Sequence, residues 1–125
     1  MAVTGLALFG FVIGHMIGNL QVYLPLGANG VWALDSYGEW LRELGHGGAI
    51  WVARGGLLAA LVLHVGAAWA LTRRSWAARP VAYRQWKAKE STYASRTMRV
   101  SGPLIFLFIV YHLMHLTWGN AHHDY

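Results

Sequence analysis

The chain has 125 residues, of which 56% are hydrophobic and 12% charged, about half the charged fraction of a soluble domain. That composition points to a membrane protein, and the 15 glycines and seven tryptophans suit membrane helices and their interfaces. With no cysteine, disulfides, thiolate metal sites, iron–sulfur ligation and covalent c-type haem attachment by this chain are excluded. The net charge of +5 sits mostly in one loop, so it reads as topology and not as a nucleic-acid surface.

No charged residue occurs from Ala2 to Leu34, and about 20 apolar residues cross a bilayer. A first span is therefore predicted from about Val3 to Tyr23. It is too long for the apolar core of a signal peptide, about 7–15 residues, and no basic stretch precedes it. Pro25, Gly27, Asn29 and Gly30 then break the helix. The following WALDSYGEWLRELG predicts a short helix, with Asp35 or Ser36 as cap and Ser36 with Glu39 at capping-box spacing. Apolar Trp40, Leu41 and Leu44 against polar Glu39, Arg42 and Glu43 suggest that it lies in the membrane interface. Gly45, Gly47 and Gly48 end it.

A second span is predicted from about Ala49 to Leu71, with Arg54 near its start and His64 within it. Residues 72–99 then hold eight of the ten basic residues against one acid, Glu90. The third span covers about Val100 to Trp118, or starts several residues earlier, and Pro103 is expected to kink it. The fold class is thus an all-α membrane protein: a helix bundle with three spans in this chain and a short interfacial helix, forming one transmembrane domain over 1–125.

Basic loops stay in the cytoplasm, so the loop over 72–99 is expected there. Residues 24–48 are then periplasmic and the amino terminus is cytoplasmic, as in a multi-pass protein of a bacterial inner membrane.

Each span carries histidine in an apolar setting: His15 in GFVIGHMIGNLQ, His64 in the second, His112 and His115 in the third. A polar side chain in hydrocarbon is costly enough to suggest a function. At about 1.5 Å per residue, His15 and His112 fall in the outer half, where one centre can take both. His64 falls roughly 10 Å nearer the cytoplasm by the same rise, with no partner histidine in this chain. Gly14 and Gly18 lie beside His15, and Ala60, Ala67 and Ala68 share the His64 face. Such stripes are helix-packing seams or room for a flat macrocycle. A lone histidine is most simply an interhelical hydrogen bond; three at plausible depths favour a cofactor. Zinc or copper would recruit carboxylate, cysteine or more histidine, whereas bis-histidine haem b needs one imidazole from each of two helices.

The stretches TGLALFGFVIGHMIGNLQ, LDSYGEWLRELG, VARGGLLAALVLHVGAAWAL, ARPVAYRQW and SRTMRVSGPLIFLFIVYHLMHLTWG, in this order and across essentially the whole chain, resemble the dihaem cytochrome b membrane anchor of succinate dehydrogenase. This is the five-helix, single-polypeptide type shared with dihaem quinol:fumarate reductases. The resemblance implies a subunit of respiratory complex II in the tricarboxylic acid cycle, without a succinate or flavin site of its own. Electrons would pass from a flavoprotein subunit through an iron–sulfur subunit and two haems b to menaquinone or ubiquinone. By resemblance, His15 and His112 are the axial ligands of the distal haem. His64 is one ligand of the proximal haem, whose other ligand comes from outside this chain, since family members carry two further spans. The chain would then be a truncated form, or the missing helices would come from elsewhere.

His115, at i+3 from His112, is the competing ligand, or else a quinone-side or interfacial group. His46, His122 and His123 are expected to be inert loop residues. Arg54 is a candidate partner for a distal haem propionate, or it snorkels to the interface; Ser101, about 20° from His112 in helical projection, is a candidate at the proximal haem. Asn19 and Gln21 could meet quinone or bond a neighbouring helix. The basic loop would contact anionic lipid and dock the iron–sulfur subunit. Two rival readings stand beside this one: the cytochrome b anchor of another quinone-linked enzyme, such as formate dehydrogenase or hydrogenase, and a small transporter relaying protons or metal through His15 and His64.

Overall fold

The computed structural model describes residues 1–79, 81, 84 and 90–121. It is all-helical: α1 (Ala2–Asn19) continuing as a 3₁₀ turn (Leu20–Tyr23), α2 (Ala33–Glu43), α3 (Gly48–Ala77) and α4 (Tyr93–Leu116). Among the described residues no strand forms, and one antiparallel bridge pairs Leu26 with Trp32. Among the described residues three helices are long and apolar enough to cross a membrane: Ala2–Tyr23, Gly48–Ala77 and Tyr93–Leu116. The chain divides into two compact units, Met1–Ala82 and Tyr83–Tyr125.

The first unit is an antiparallel helix pair with α2 across one end. Helix α1 ends because Leu24 precedes Pro25 and is driven into extended backbone, at φ −78° and ψ 148°, by the proline ring. The chain then reverses through a tight loop. Gly30 N–H donates to the Gly27 carbonyl at 2.9 Å, Gly27 N–H to Val31 at 3.0 Å, and the Asn29 side chain accepts from Val31 N–H at 3.2 Å. Gly27 has no room for a side chain, since a Cβ would lie 2.6 Å from Asn29 Oδ1.

Helix α2 begins one turn earlier than its capping residues predict. Its N-cap is Trp32, without a side-chain cap, and Asp35 lies in its first turn. Ser36 is therefore inside the helix, and the Ser36–Glu39 capping box does not form. Asp35 is still well placed, because a carboxylate near a helix N-terminus meets the positive end of the dipole. The half-buried side of α2 is Ala33, Leu34, Tyr37, Gly38 and Leu41, whereas Trp40 and Leu44 remain exposed. The expected amphipathic pattern is present, with its packed edge rotated away from Trp40.

Between α2 and α3 the backbone turns left-handed at three successive residues, Gly45, His46 and Gly47. Glycine adopts this region freely; His46, at φ 55°, does so at a cost of about 1–2 kcal/mol. The half-buried side of α3 is Leu57, Ala60, Leu61, His64, Ala67 and Ala68, a helical stripe facing α1. This is the small-residue face read from the sequence around His64.

Both later spans are longer as helices than as apolar runs. Helix α3 continues through Arg73 and Arg74 to Ala77, and α4 starts at Tyr93, the earlier of the two starts open to it. Apolar windows mark the part of a helix suited to hydrocarbon; the backbone hydrogen bonding runs on into the charged segments. The 30 residues of α3 rise about 45 Å, the thickness of a bilayer with its headgroups. The start of α4 is set by a cap: Thr92 Oγ1 accepts from Ser95 N–H at 3.2 Å. Thr92→Ala is expected to cost about 0.5–2 kcal/mol of local helix stability, seen as faster amide exchange over residues 93–97 with exchange in α1 unchanged.

The apolar side chains point outward. Leu6 is 72% exposed, Val52 77% and Phe108 62%, and no apolar side chain among the described residues is fully buried. In water such a surface would be strongly unfavourable; hydrocarbon is a matching solvent, because the helices satisfy their own backbone hydrogen bonds.

Candidate functional site

Within the first unit, α1 and α3 place two histidines at different levels. His64 meets the Met1 end of α1, where Thr4 Oγ1 lies 3.1 Å from His64 Nδ1. The same hydroxyl donates to the Met1 carbonyl at 3.0 Å. Gly5 lets the ring come this close, since a Cβ there would stand 3.2 Å from His64 Cε1. His15 lies eleven residues beyond Thr4 on α1, a rise of about 16 Å. Along the helix pair His15 and His64 are thus further apart than the roughly 10 Å taken from span centres. The difference arises because span centres assume equal insertion depth, whereas the packed contact puts His64 opposite Thr4.

His15 is exposed and held by its own helix. Its ring stacks on Phe11, with centroids 5.3 Å apart and planes 16° from parallel. Asn19 Nδ2 donates to the His15 carbonyl at 2.8 Å and lies 3.3 and 3.2 Å from the two ring nitrogens. An in-plane position so nearly equidistant would overlap Cε1, so the amide crosses the ring face and does not follow either nitrogen's in-plane direction. Asn19 thus makes the local bond considered for it, within its own helix.

The glycines near His15 divide. A Cβ on Gly10 or Gly14 meets nothing within 4 Å, whereas one on Gly18 would lie 2.7 Å from Tyr37 Cε1 and 2.9 Å from Tyr37 Oη. Gly18 is the buried residue of α1, and its role is to seat Tyr37 of α2. Of the two roles open to Gly18, a packing seam or room for a macrocycle, the contact with Tyr37 is the packing one; Gly10 and Gly14 keep open space beside them.

In the second unit, α4 carries His112 stacked on Phe108 (5.6 Å, 29°) and His115 tilted against Tyr111 (5.7 Å, 56°). Thr97, Ser101, His112 and His115 are all half-buried and fall within about 60° of one another at 100° per residue. Together they form one polar stripe along α4. The geometry gives His112 and His115 equivalent aromatic neighbours one turn back. Ser101 Oγ donates to the Met98 carbonyl at 3.3 Å, a bond within its own helix.

Arg54 lies over the Trp51 ring, 5.1 Å from its centroid. A cation–π contact of this kind holds the guanidinium at the end of α3 that joins α2 and agrees with anchoring at an interface. His46 occupies the left-handed turn before α3, while His122 and His123, and Lys87 and Lys89 of the basic loop, lie outside the described residues.

Sequence reasoning missed Thr4 and Gly5. The available signal was a threonine–glycine pair on a charge-free helix, at the end of the span facing the level estimated for His64. Compared with family models, curated proteins and solved structures, the chain matches none of them.

Proposed function

We propose that this chain is the haem b-binding membrane anchor of a succinate:quinone oxidoreductase. The observation that carries the reading is the spacing of His15 and His64 on one helix pair. Metal–imidazole bonds of about 2 Å bring two ligands of one ion within about 4 Å, so imidazoles about 16 Å apart along a helix serve two separate centres. Two centres at two depths are what a dihaem anchor requires. The same spacing disfavours direct hand-over of a proton or metal ion between His15 and His64.

The residues fit the group. An imidazole that ligates a metal usually gives its other ring N–H to an oxygen acceptor, and His64 has Thr4 at Nδ1. His15 has the open side of Gly14 next to it. On this reading His15 and His112 hold the distal haem, and His64 holds the proximal haem with a ligand from outside this chain. Haem iron supplies one-electron storage at each level. The chain supplies imidazoles, their vertical separation and an apolar surround. Arg54, held by Trp51, is the donor offered to a propionate. The basic residues over 73–99 face the cytoplasm, touching anionic lipid and the iron–sulfur subunit.

The test is a reduced-minus-oxidised spectrum of membranes containing the assembled complex. Two b-type components reduced by succinate are expected, together with co-purification of a flavoprotein. Absence of b-type absorbance would overturn the haem reading. Reduction by formate or hydrogen but not succinate would move the chain to the anchor of another quinone-linked enzyme.

A further inference from the structure

We propose that Thr4 is a positioning residue that fixes His64 as the Nδ1–H tautomer and leaves the Nε2 lone pair to act as the ligand. The assignment of Nε2 to a haem iron rests on the function proposed above; the tautomer itself rests only on the contacts of Thr4.

Three atoms determine the proton's place. The Met1 carbonyl has no proton to give, yet it lies 3.0 Å from Thr4 Oγ1. The Thr4 hydroxyl must therefore be the donor there, since the alternative sets two lone pairs against each other. A hydroxyl has one proton. With it committed to Met1, Thr4 Oγ1 can only accept at its second contact, 3.1 Å from His64 Nδ1. Nδ1 must then carry hydrogen, and a neutral imidazole protonated at Nδ1 has its lone pair at Nε2. The Met1 carbonyl is itself fixed, because it also accepts Gly5 N–H at 2.8 Å in the first turn of α1. Gly5 completes the arrangement by admitting the ring edge, with Cε1 3.2 Å from where a Cβ would stand.

The relay Met1 carbonyl, Thr4 hydroxyl, His64 Nδ1 crosses from α1 to α3 and joins residues 60 apart in sequence. It therefore orients the imidazole relative to the other helix as well as choosing its protonated nitrogen. An acceptor at Nδ1–H makes the opposite nitrogen a stronger donor to a metal, which favours the ferric over the ferrous state of a ligated iron.

The experiment compares the wild type, Thr4→Val and Thr4→Ser. Valine keeps the branched shape without the hydroxyl, and serine keeps the hydroxyl. In the full chain in bilayers without haem, ¹⁵N-histidine NMR reads the tautomer, with the His64 signal identified by its loss in His64→Gln. Wild type and Thr4→Ser are expected to show Nδ1–H, and Thr4→Val a mixture or Nε2–H. An Nε2–H tautomer in the wild type, or no change in Thr4→Val, would overturn the proposal. In membranes of the assembled complex, the His64-dependent haem component is expected to titrate at higher potential in Thr4→Val and to return with Thr4→Ser. The expected shift is up to tenfold in the ferric-to-ferrous ratio, about 59 mV for one electron. An unchanged potential in both variants would also count against it. Membranes without b-type absorbance would overturn the haem reading alone, and the NMR tautomer would still decide the role of Thr4.

Discussion

His15→Ala is expected to remove one of two b-type haem components while leaving the His64-dependent component at its wild-type level. The loss should be complete at that centre, since an alanine offers no ligand atom. The fold should survive. Alanine is the best helix former, and the bond from Asn19 Nδ2 goes to the main-chain carbonyl of residue 15, which the substitution keeps. Among its losses is the stacking of the ring on Phe11, an interaction of about 0.5–1.5 kcal/mol. Because His15 and His64 lie about 16 Å apart along the helix pair, the two losses should be independent. His64→Ala should remove the other component, and the double variant should lose both without further destabilisation. The family resemblance pairs His15 with His112, so His112→Ala should remove the same component as His15→Ala, and His115→Ala should spare it. Redox-resolved difference spectra of membranes with matched chain levels provide the measurement. Retention of both components in His15→Ala would sink the ligand assignment.

A second large effect is expected at Gly18. A Cβ at this position would stand 2.7 Å from Tyr37 Cε1 and 3.0 Å from Tyr37 Cζ, closer than non-bonded carbons approach. Gly18→Ala should therefore displace the Tyr37 ring from its seat on α1, at up to about 1–3 kcal/mol. Gly18→Leu should separate α2 from α1. The contact matters because Tyr37 also stacks on Trp40, with centroids 6.0 Å apart, so displacement of one ring disturbs the whole packed edge of α2. Gly10→Ala and Gly14→Ala are the controls. Neither Cβ meets anything within 4 Å, and each replaces a glycine in a helix interior, so both should stabilise the haem-free chain by about 0.5–1 kcal/mol. Unfolding of the purified chain in mixed micelles by increasing SDS would rank the three variants. Adding Tyr37→Ala should relieve Gly18→Ala, giving a coupling of about 0.5–3 kcal/mol in a double-mutant cycle. If Gly18→Ala behaves like Gly14→Ala, Tyr37 does not sit where its contact with α1 places it.

The two experiments divide the glycines of α1 by function. Gly18 serves the fold, because Tyr37 occupies the space a side chain would take. Gly10 and Gly14 adjoin open space, so a cost there that appears only with haem bound would assign that space to the cofactor.

Much of the architecture was legible in the residues. The charge-free run from Ala2 to Leu34 required a span, and the His64 stripe of Ala60, Ala67 and Ala68 was recognised as one face of a helix. Helix ends were less legible. The Ser36–Glu39 pair has capping spacing, but Trp32 takes the N-cap, because the bridge from Leu26 to Trp32 brings the chain into helical register four residues earlier. Similarly, Arg96 and Arg99 end the apolar window of the third span but not its helix, which starts at the Thr92 cap, since charge does not prevent a helix from forming outside hydrocarbon.

What the sequence determined by itself is therefore the set of local, periodic properties: three helices long and apolar enough to cross a membrane, the stripes of small residues, and histidines spaced along the spans. These follow from hydropathy and a rise of about 1.5 Å per residue, which need no knowledge of partners. The tertiary structure alone decided which atoms meet across helices. It put His64 opposite Thr4 and Gly5, seated Tyr37 on Gly18, and widened the separation of His15 from His64. Such pairings depend on how far one helix slides along another, and an apolar span tolerates many such registers until specific close contacts select one.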